Sequence, residues 1–168
     1  MVKGLARSIS RGKAQVPQML TLRVRSKQFV VDGATGVGFG SFVAGGLPFG
    51  NILLLGAVAY LQFTGPGSAG LTDTWEGDFG VGSTPASDGT ITGADVDIIP
   101  STALAAATAE ASPVTRGTGA TQVIIDNTDG SAEVNVSLLV DDASISSDDL
   151  TFTANGEIYL AYMVLGDD

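Results

Sequence analysis

Carboxylates are the only side chains in this chain whose spacing suggests chemistry. Asp126-Asn127-Thr128-Asp129-Gly130 has the Asx-and-glycine rhythm of a calcium loop, and Asp141-Asp142 and Asp148-Asp149 bracket a short Ser-containing stretch. The first lacks the further oxygen ligands and the distal Glu that a calcium loop requires. It reads as a hairpin turn, where Asx and Gly supply the backbone geometry, and the second reads as a solvated loop. Paired acids can hydrolyse glycosides without histidine, and Glu76, Asp78 and Glu157, with Trp75, are the candidates for such a groove. On an alternating strand, Glu76 and Asp78 share the polar face, while Trp75 points the other way with Phe79 and Val81. A core tryptophan backed by solvated acids is the simpler reading, so no catalytic residue and no metal ligand is assigned.

Composition removes most other chemistry. The chain has neither histidine nor cysteine, which excludes a Ser-His-Asp triad, thiolate metal sites and disulfides. Gly33-Ala34-Thr35-Gly36-Val37-Gly38 misses the GxGxxG spacing, and no Gly-Lys-Ser/Thr follows, so no nucleotide and no other cofactor is expected.

Charge is divided along the chain. Lys3, Arg7, Arg11, Lys13, Arg23, Arg25 and Lys27 lie in the first 27 residues with no acid among them, a charge of +7. All 18 acids follow, against Arg116 alone, so the remainder carries −17 and the whole −10. Residues 1–18 read as a flexible basic arm and 19–168 as one domain. The −17 carried from Gln28 onward would be repelled by DNA, and seven cations without interleaved aromatics give no base reading. The arm and the cations of the first strand therefore suit an acidic protein partner.

The elements that would position these groups are strands. Leu20, Leu22 and Val24 alternate with Thr21, Arg23 and Arg25, the period of a half-buried strand. Glycines at 36, 38 and 40 leave one strand face bare for close approach of another layer. Two segments are apolar on both faces. In 52–63, Ile52, Leu54, Val58 and Tyr60 back onto Leu53, Leu55, Leu61 and Phe63; in 158–165, Ile158, Leu160, Tyr162 and Val164 back onto Tyr159, Ala161, Met163 and Leu165. An antiparallel sheet usually leaves one face wet, so Leu53, Leu55, Leu61, Phe63, Tyr159 and Met163 are the expected self-association residues. A strand with a bulge at Gly93 is expected over 91–98, and a turn at Ala154-Asn155-Gly156, where Asn-Gly is a strong hairpin signal. Alanine-rich 102–111, between Pro100-Ser101 and Pro113, predicts one short helix. The pattern is all-β: an antiparallel sandwich, with the jelly roll as one arrangement that fits. The longest apolar run, 52–61, is half the roughly 20 residues that span a bilayer, so no membrane contact is expected.

Residues 75–102, opening Trp75-Glu76-Gly77-Asp78-Phe79-Gly80-Val81-Gly82, and 139–166, opening Leu139-Val140-Asp141-Asp142-Ala143-Ser144-Ile145, resemble tailed-bacteriophage virion structural proteins of the capsid decoration, or cement, type. The likeness covers about a third of the chain and carries no catalytic signature. It implies a β-sandwich body, often a homotrimer, sitting on the capsid exterior of a virion assembled in the host cytoplasm, with its arm over the major capsid protein. Such proteins act by surface contact, so no functional residues transfer. A head- or tail-fibre module binding a receptor or glycan shares much of this composition.

Overall fold

The computed structural model describes residues 16–33, 38–67, 70–71, 74–107, 110–119, 122–141, 145 and 149–166. Nine strands run in the order β1 (Gln18–Val31), β2 (Gly38–Gly46), β3 (Gly50–Thr64), β4 (Gly77–Gly82), β5 (Ile99–Ala103), β6 (Thr115–Gly119), β7 (Val123–Asn127), β8 (Glu133–Val140) and β9 (Leu150–Gly166). They form two antiparallel sheets. One has the order β1-β9-β3-β6, with β7 also paired to β3, and the other has β2-β8-β4-β5. This is the expected β-sandwich.

One core fills the space between the sheets. Phe29 and Val31 of β1, Ile52, Leu54, Leu61 and Phe63 of β3, and Phe152, Ile158 and Leu160 of β9 face Phe42, Phe79, Val81, Val136 and Leu138 of the other sheet. Aromatic rings bridge the layers: Phe29–Phe42 centroids are 5.1 Å apart and Phe63–Phe79 centroids 5.8 Å. Glycine in β2 does the work anticipated for it, since a Cβ on Gly40 would strike the Val30 carbonyl of β1. Gly36 lies outside the described residues.

Three local expectations fail, each for a visible reason. No helix forms among the described residues of 102–111. Thr102 pairs with Phe79 in β5, then the Leu104 N–H donates to the Gly77 carbonyl (2.8 Å) and the Ala107 N–H to the Trp75 carbonyl (3.0 Å). Alanine's helical preference is a few tenths of a kcal/mol per residue. It loses to these bonds and to the burial of Leu104 and Ala107. Residues 91–98 are likewise no strand but a loop around a 3-10 turn, Gly93–Asp95, with Gly93 at φ +60°. Ser83 holds this loop, donating to Asp97 from its N–H (2.8 Å) and its hydroxyl (2.7 Å).

The third is the Asn-Gly signal. β9 passes straight through Ala154-Asn155-Gly156, which lie opposite Phe63, Gln62 and Leu61 of β3. The irregularity sits instead in β1, where Arg25 and Ser26 together face Asn155, and Ser26 takes φ +46°. Asn155 Oδ1 accepts the Ser26 N–H at 2.8 Å, so the pair stabilises a bulge, not a hairpin. Gly156 has φ +144°, and any Cβ there would collide with the Tyr60 carbonyl. Gly156→Ala should therefore cost about 2–4 kcal/mol from strain and overpacking, and Asn155→Ala about 1 kcal/mol from one lost hydrogen bond. Urea-unfolding midpoints of the two variants against the parent check this order.

Candidate interaction surfaces

The outer faces of the two sheets differ. On the four-stranded sheet, β8 is buried on both faces, including Asn135 and Ser137. The chain's own 83–98 loop covers it: the Ala86 N–H donates to Ser137 Oγ (3.2 Å), and Asn135 Nδ2 to the Ser83 carbonyl (3.4 Å). On the five-stranded sheet nothing among the described residues lies over the outer face. Met19 is 65% exposed, Ile124 66% and Tyr60 43%, with Leu53, Val58, Tyr159 and Met163 half-buried between them.

Register aligns these side chains in rows across the strands. Ile124, Leu53 and Met163 form one row; Thr118, Val58, Tyr159 and Thr21 a second; Arg116, Tyr60, Glu157 and Arg23 a third. A shallow concavity of about 430 Å³, with a mainly apolar lining, lies along the second row between Met19 and Arg116. Glu157 anchors the polar end. It accepts from the Tyr159 hydroxyl and sits 3.4 Å from Arg23 Nε. The hydrogen bond to Glu157 is the first cause that holds the Tyr159 phenol above its ordinary pKa, followed by desolvation. With Arg23 and Glu157 side chains 61% and 41% exposed, that ion pair is worth about 0–1 kcal/mol.

Half of the β3 expectation is corrected here. Leu53 and Leu55 are off the core face, whereas Leu61 and Phe63 are fully buried inside the sandwich. A register shift between Leu54 and Gly56 swaps the faces, so inward positions change from Ile52 and Leu54 to Ala57, Ala59, Leu61 and Phe63. Tyr60 and Val58 take the outer places. Gly56 inside an apolar strand was the available sign of that bulge. Tyr159 and Met163 of β9 face outward as the alternation predicts, and Met19 and Ile124 are additions to the surface.

Of the basic residues, Lys3, Arg7, Arg11 and Lys13 lie outside the described residues. Arg23, Arg25 and Lys27 are exposed on β1. Beyond the Arg23–Glu157 pair, no salt bridge forms among the described residues.

The carboxylates among the described residues do not assemble a site. Trp75 is 1% exposed, its indole N–H donating to the Glu110 carbonyl (3.2 Å), which leaves no aromatic floor for a sugar groove. Glu76 and Asp78 precede or lie on β4, and Glu157 is on the opposite outer face, across a sandwich about 10 Å thick between sheet planes. Burial, then repulsion from Asp141, pushes the Asp78 carboxyl up. No group of three or more acids that could hold a metal gathers among the described residues, and Asp142 and Asp148 lie outside them.

The 126–130 segment is a turn but not the expected hairpin, because β7 pairs with β3 in one sheet and β8 with β2 and β4 in the other. Asp126 Oδ1 accepts the Thr128 hydroxyl (2.7 Å) and N–H (3.0 Å), and Asp129 Oδ1 accepts the Ser131 N–H (2.9 Å) and hydroxyl (2.7 Å). Buried Asn127 locks it, donating to the Leu47 and Pro48 carbonyls (3.0 and 2.8 Å) and accepting the Ala132 N–H (2.7 Å).

The chain matches no protein-family model and no curated protein sequence. Among solved structures, it is similar to infectious bursal disease virus, Gx strain, with a TM-score of 0.42 and 13% identity over 96% of this chain and 37% of that one. The Gt strain follows at 0.41 and 12%, over 86% and 32%. A CBM4 structure gives 0.32 and 15%, over 85% and 94%. The chain thus spans about a third of the length of these viral chains. Likeness this distant leaves function to be argued from the chain's own surfaces.

The Asp126 and Asp129 carboxyls are held below the usual range. The Thr128 hydroxyl and then its N–H stabilise the first, and the Ser131 N–H and then its hydroxyl the second. Stability from a depressed carboxyl is present above the unfolded pKa, near 3.9. It is lost as pH falls through the folded value. Urea midpoints should therefore drop between about pH 5 and 2, and the Asp126→Asn/Asp129→Asn variant, which keeps the acceptor oxygens, should drop less over that window.

Proposed function

We propose that this chain is a non-enzymatic virion structural protein that decorates and cements the outer surface of a phage capsid. In this reading its body is an oligomer, a homotrimer by the resemblance, and its basic arm docks on acidic surfaces of the major capsid protein. The observation that carries the proposal is the contrast between the two sheets. One outer face is covered by the chain's own loop, while the other presents Met19, Leu53, Val58, Tyr60, Ile124 and Met163. A face of this kind is a surface for a partner, and a second copy is the simplest one. The charge division supports the other half of the reading, because +7 over residues 1–27 against −17 from Gln28 onward favours attachment to acidic protein over nucleic acid.

Light scattering should give an oligomer mass for the parent and a monomer for Leu53→Glu/Met163→Glu. A monomeric parent would remove the self-association half. Deleting residues 1–18 should leave a folded oligomer that no longer decorates capsids, and full shell occupancy by that variant would remove the arm's role.

Tyr60 beside Tyr159, with Glu157 and Gln62 on the same face, favours a second reading, a fibre module whose aromatic platform contacts a receptor or glycan. Binding of the purified protein to host cells without capsid, abolished in Tyr60→Ala, would select it.

A further inference from the structure

The free edges of both sheets meet on one side of the sandwich. β1 ends the five-stranded sheet and β2 the four-stranded one. Between them is a cleft of about 220 Å³, with Arg23, Arg25 and Lys27 over Phe42, Val43 and Ala44. The bulge at Arg25 and Ser26 builds it. Past the bulge the inward register is that of Phe29 and Val31, which Lys27 shares, yet Lys27 is exposed. A cation is therefore held on the core-facing side of a sheet edge, at the mouth of the sandwich.

Inward charge and a bulge also protect an edge strand against indiscriminate pairing. Protection alone needs one such charge. Here Arg25 and Lys27 have no carboxylate partner among the described residues, in a chain where acids outnumber bases 18 to 8. An edge of this kind rejects another like itself and accepts an acidic one.

The chain carries a matching element at the far edge of the same sheet. The β7–β8 turn exposes Asp126 and Asp129 and no base. Beside it stand Ile124, 66% exposed, and Phe49, 58% exposed, whose ring lies 3.6 Å from where a Cβ on Gly130 would be. Arg116, the one base after Lys27, lies away from the turn on β6, opposite Tyr60 of β3. The turn is carboxylates beside an apolar tip, and the cleft is cations over an apolar floor. The chain's own basic arm has the wrong sign for the cleft, and pairing cleft with cleft would bring six cations together.

We propose that the β7–β8 turn and Phe49 of one copy dock in the β1–β2 cleft of the next, head to tail. The contact is heterologous: it uses two different patches of the chain, so it builds a closed ring if the rotation closes and a filament if it does not. The inference rests on the self-association in the proposed function and specifies a contact distinct from the apolar outer face.

The absence of native cysteine supplies the test. Val43→Cys places a thiol at the cleft, and Ser131→Cys places one at the turn. Both positions are exposed and neither change removes a charge. When the two full-length variants are mixed and mildly oxidised at low salt, mixed Val43→Cys/Ser131→Cys disulfides should outnumber like-with-like pairs. They should fall severalfold at about 1 M salt, where the screening length is near 3 Å. Adding Arg25→Glu/Lys27→Glu to the cleft variant should cut the mixed product about tenfold, the effect of roughly 1.4 kcal/mol of lost pairing. Predominance of like pairs, or a mixed yield untouched by the charge reversal, overturns the contact. Failure to cross-link while light scattering still reports an oligomer overturns the contact alone. A monomeric parent overturns the outer-face self-association as well.

Discussion

The structure depends on β9 lying between β1 and β3. The last strand of the chain pairs with the first along nearly the full length of both and with β3 on its other side. These pairings join residues 89 to 144 positions apart, so loop-closure entropy is met before the contacts that offset it form. The five-stranded sheet cannot close until the C-terminal segment is present. The Asn155-Gly156 step has the same origin. β9 must pass β1 at its bulge and β3 at a close backbone approach within one residue of each other; Asn155 meets the first demand and Gly156 the second.

That arrangement also decides which edges and faces are left over. With β9 central, β1 is forced to an edge and its cations face outward or to the mouth of the sandwich. With residues 83–98 spent on covering β8, the chain has no described segment left to cover the outer face of the other sheet. The apolar face and the basic cleft are thus consequences of one topology. They are chemically distinct, one an exposed apolar area and the other a cluster of like charge.

Much of this was legible in the sequence, and the failures share a cause. Strand alternation found β1, β3, β4 and the second half of β9, because period-2 burial is a local property of side-chain direction. Asx-Gly chemistry found the 126–130 turn, because Asp126 and Asp129 bond within two residues of themselves. Where partners are remote, local signals misled. The alanine run followed β4, the Asn-Gly pair served a bulge in a strand more than a hundred residues away, and Gly56 reversed the faces of β3, moving Leu61 and Phe63 from the expected interface into the core. In each case a hydrogen-bonded neighbour outweighed a preference worth a fraction of a kcal/mol. Of the outer-face candidates, Leu53, Leu55, Tyr159 and Met163 remain off the core, Leu55 at the bulge itself.

Charge then sets direction upon an otherwise unspecific surface. Charged residues are 15% of the chain, few for a soluble domain, where about 25% is usual. Apolar burial has no orientation of its own, and a bare sheet face can accept a neighbour at many angles. A net charge of −10 opposes all of these approaches through long-range repulsion. Gathering Arg23, Arg25 and Lys27 at one edge exempts approaches that bring an acidic element to that edge. Within a screening length of about 8 Å at physiological salt, orientations that match cleft to acid gain attraction, and the rest meet like charge. Repulsion spread over the body and attraction confined to one cleft together select a geometry that the apolar face alone would leave open.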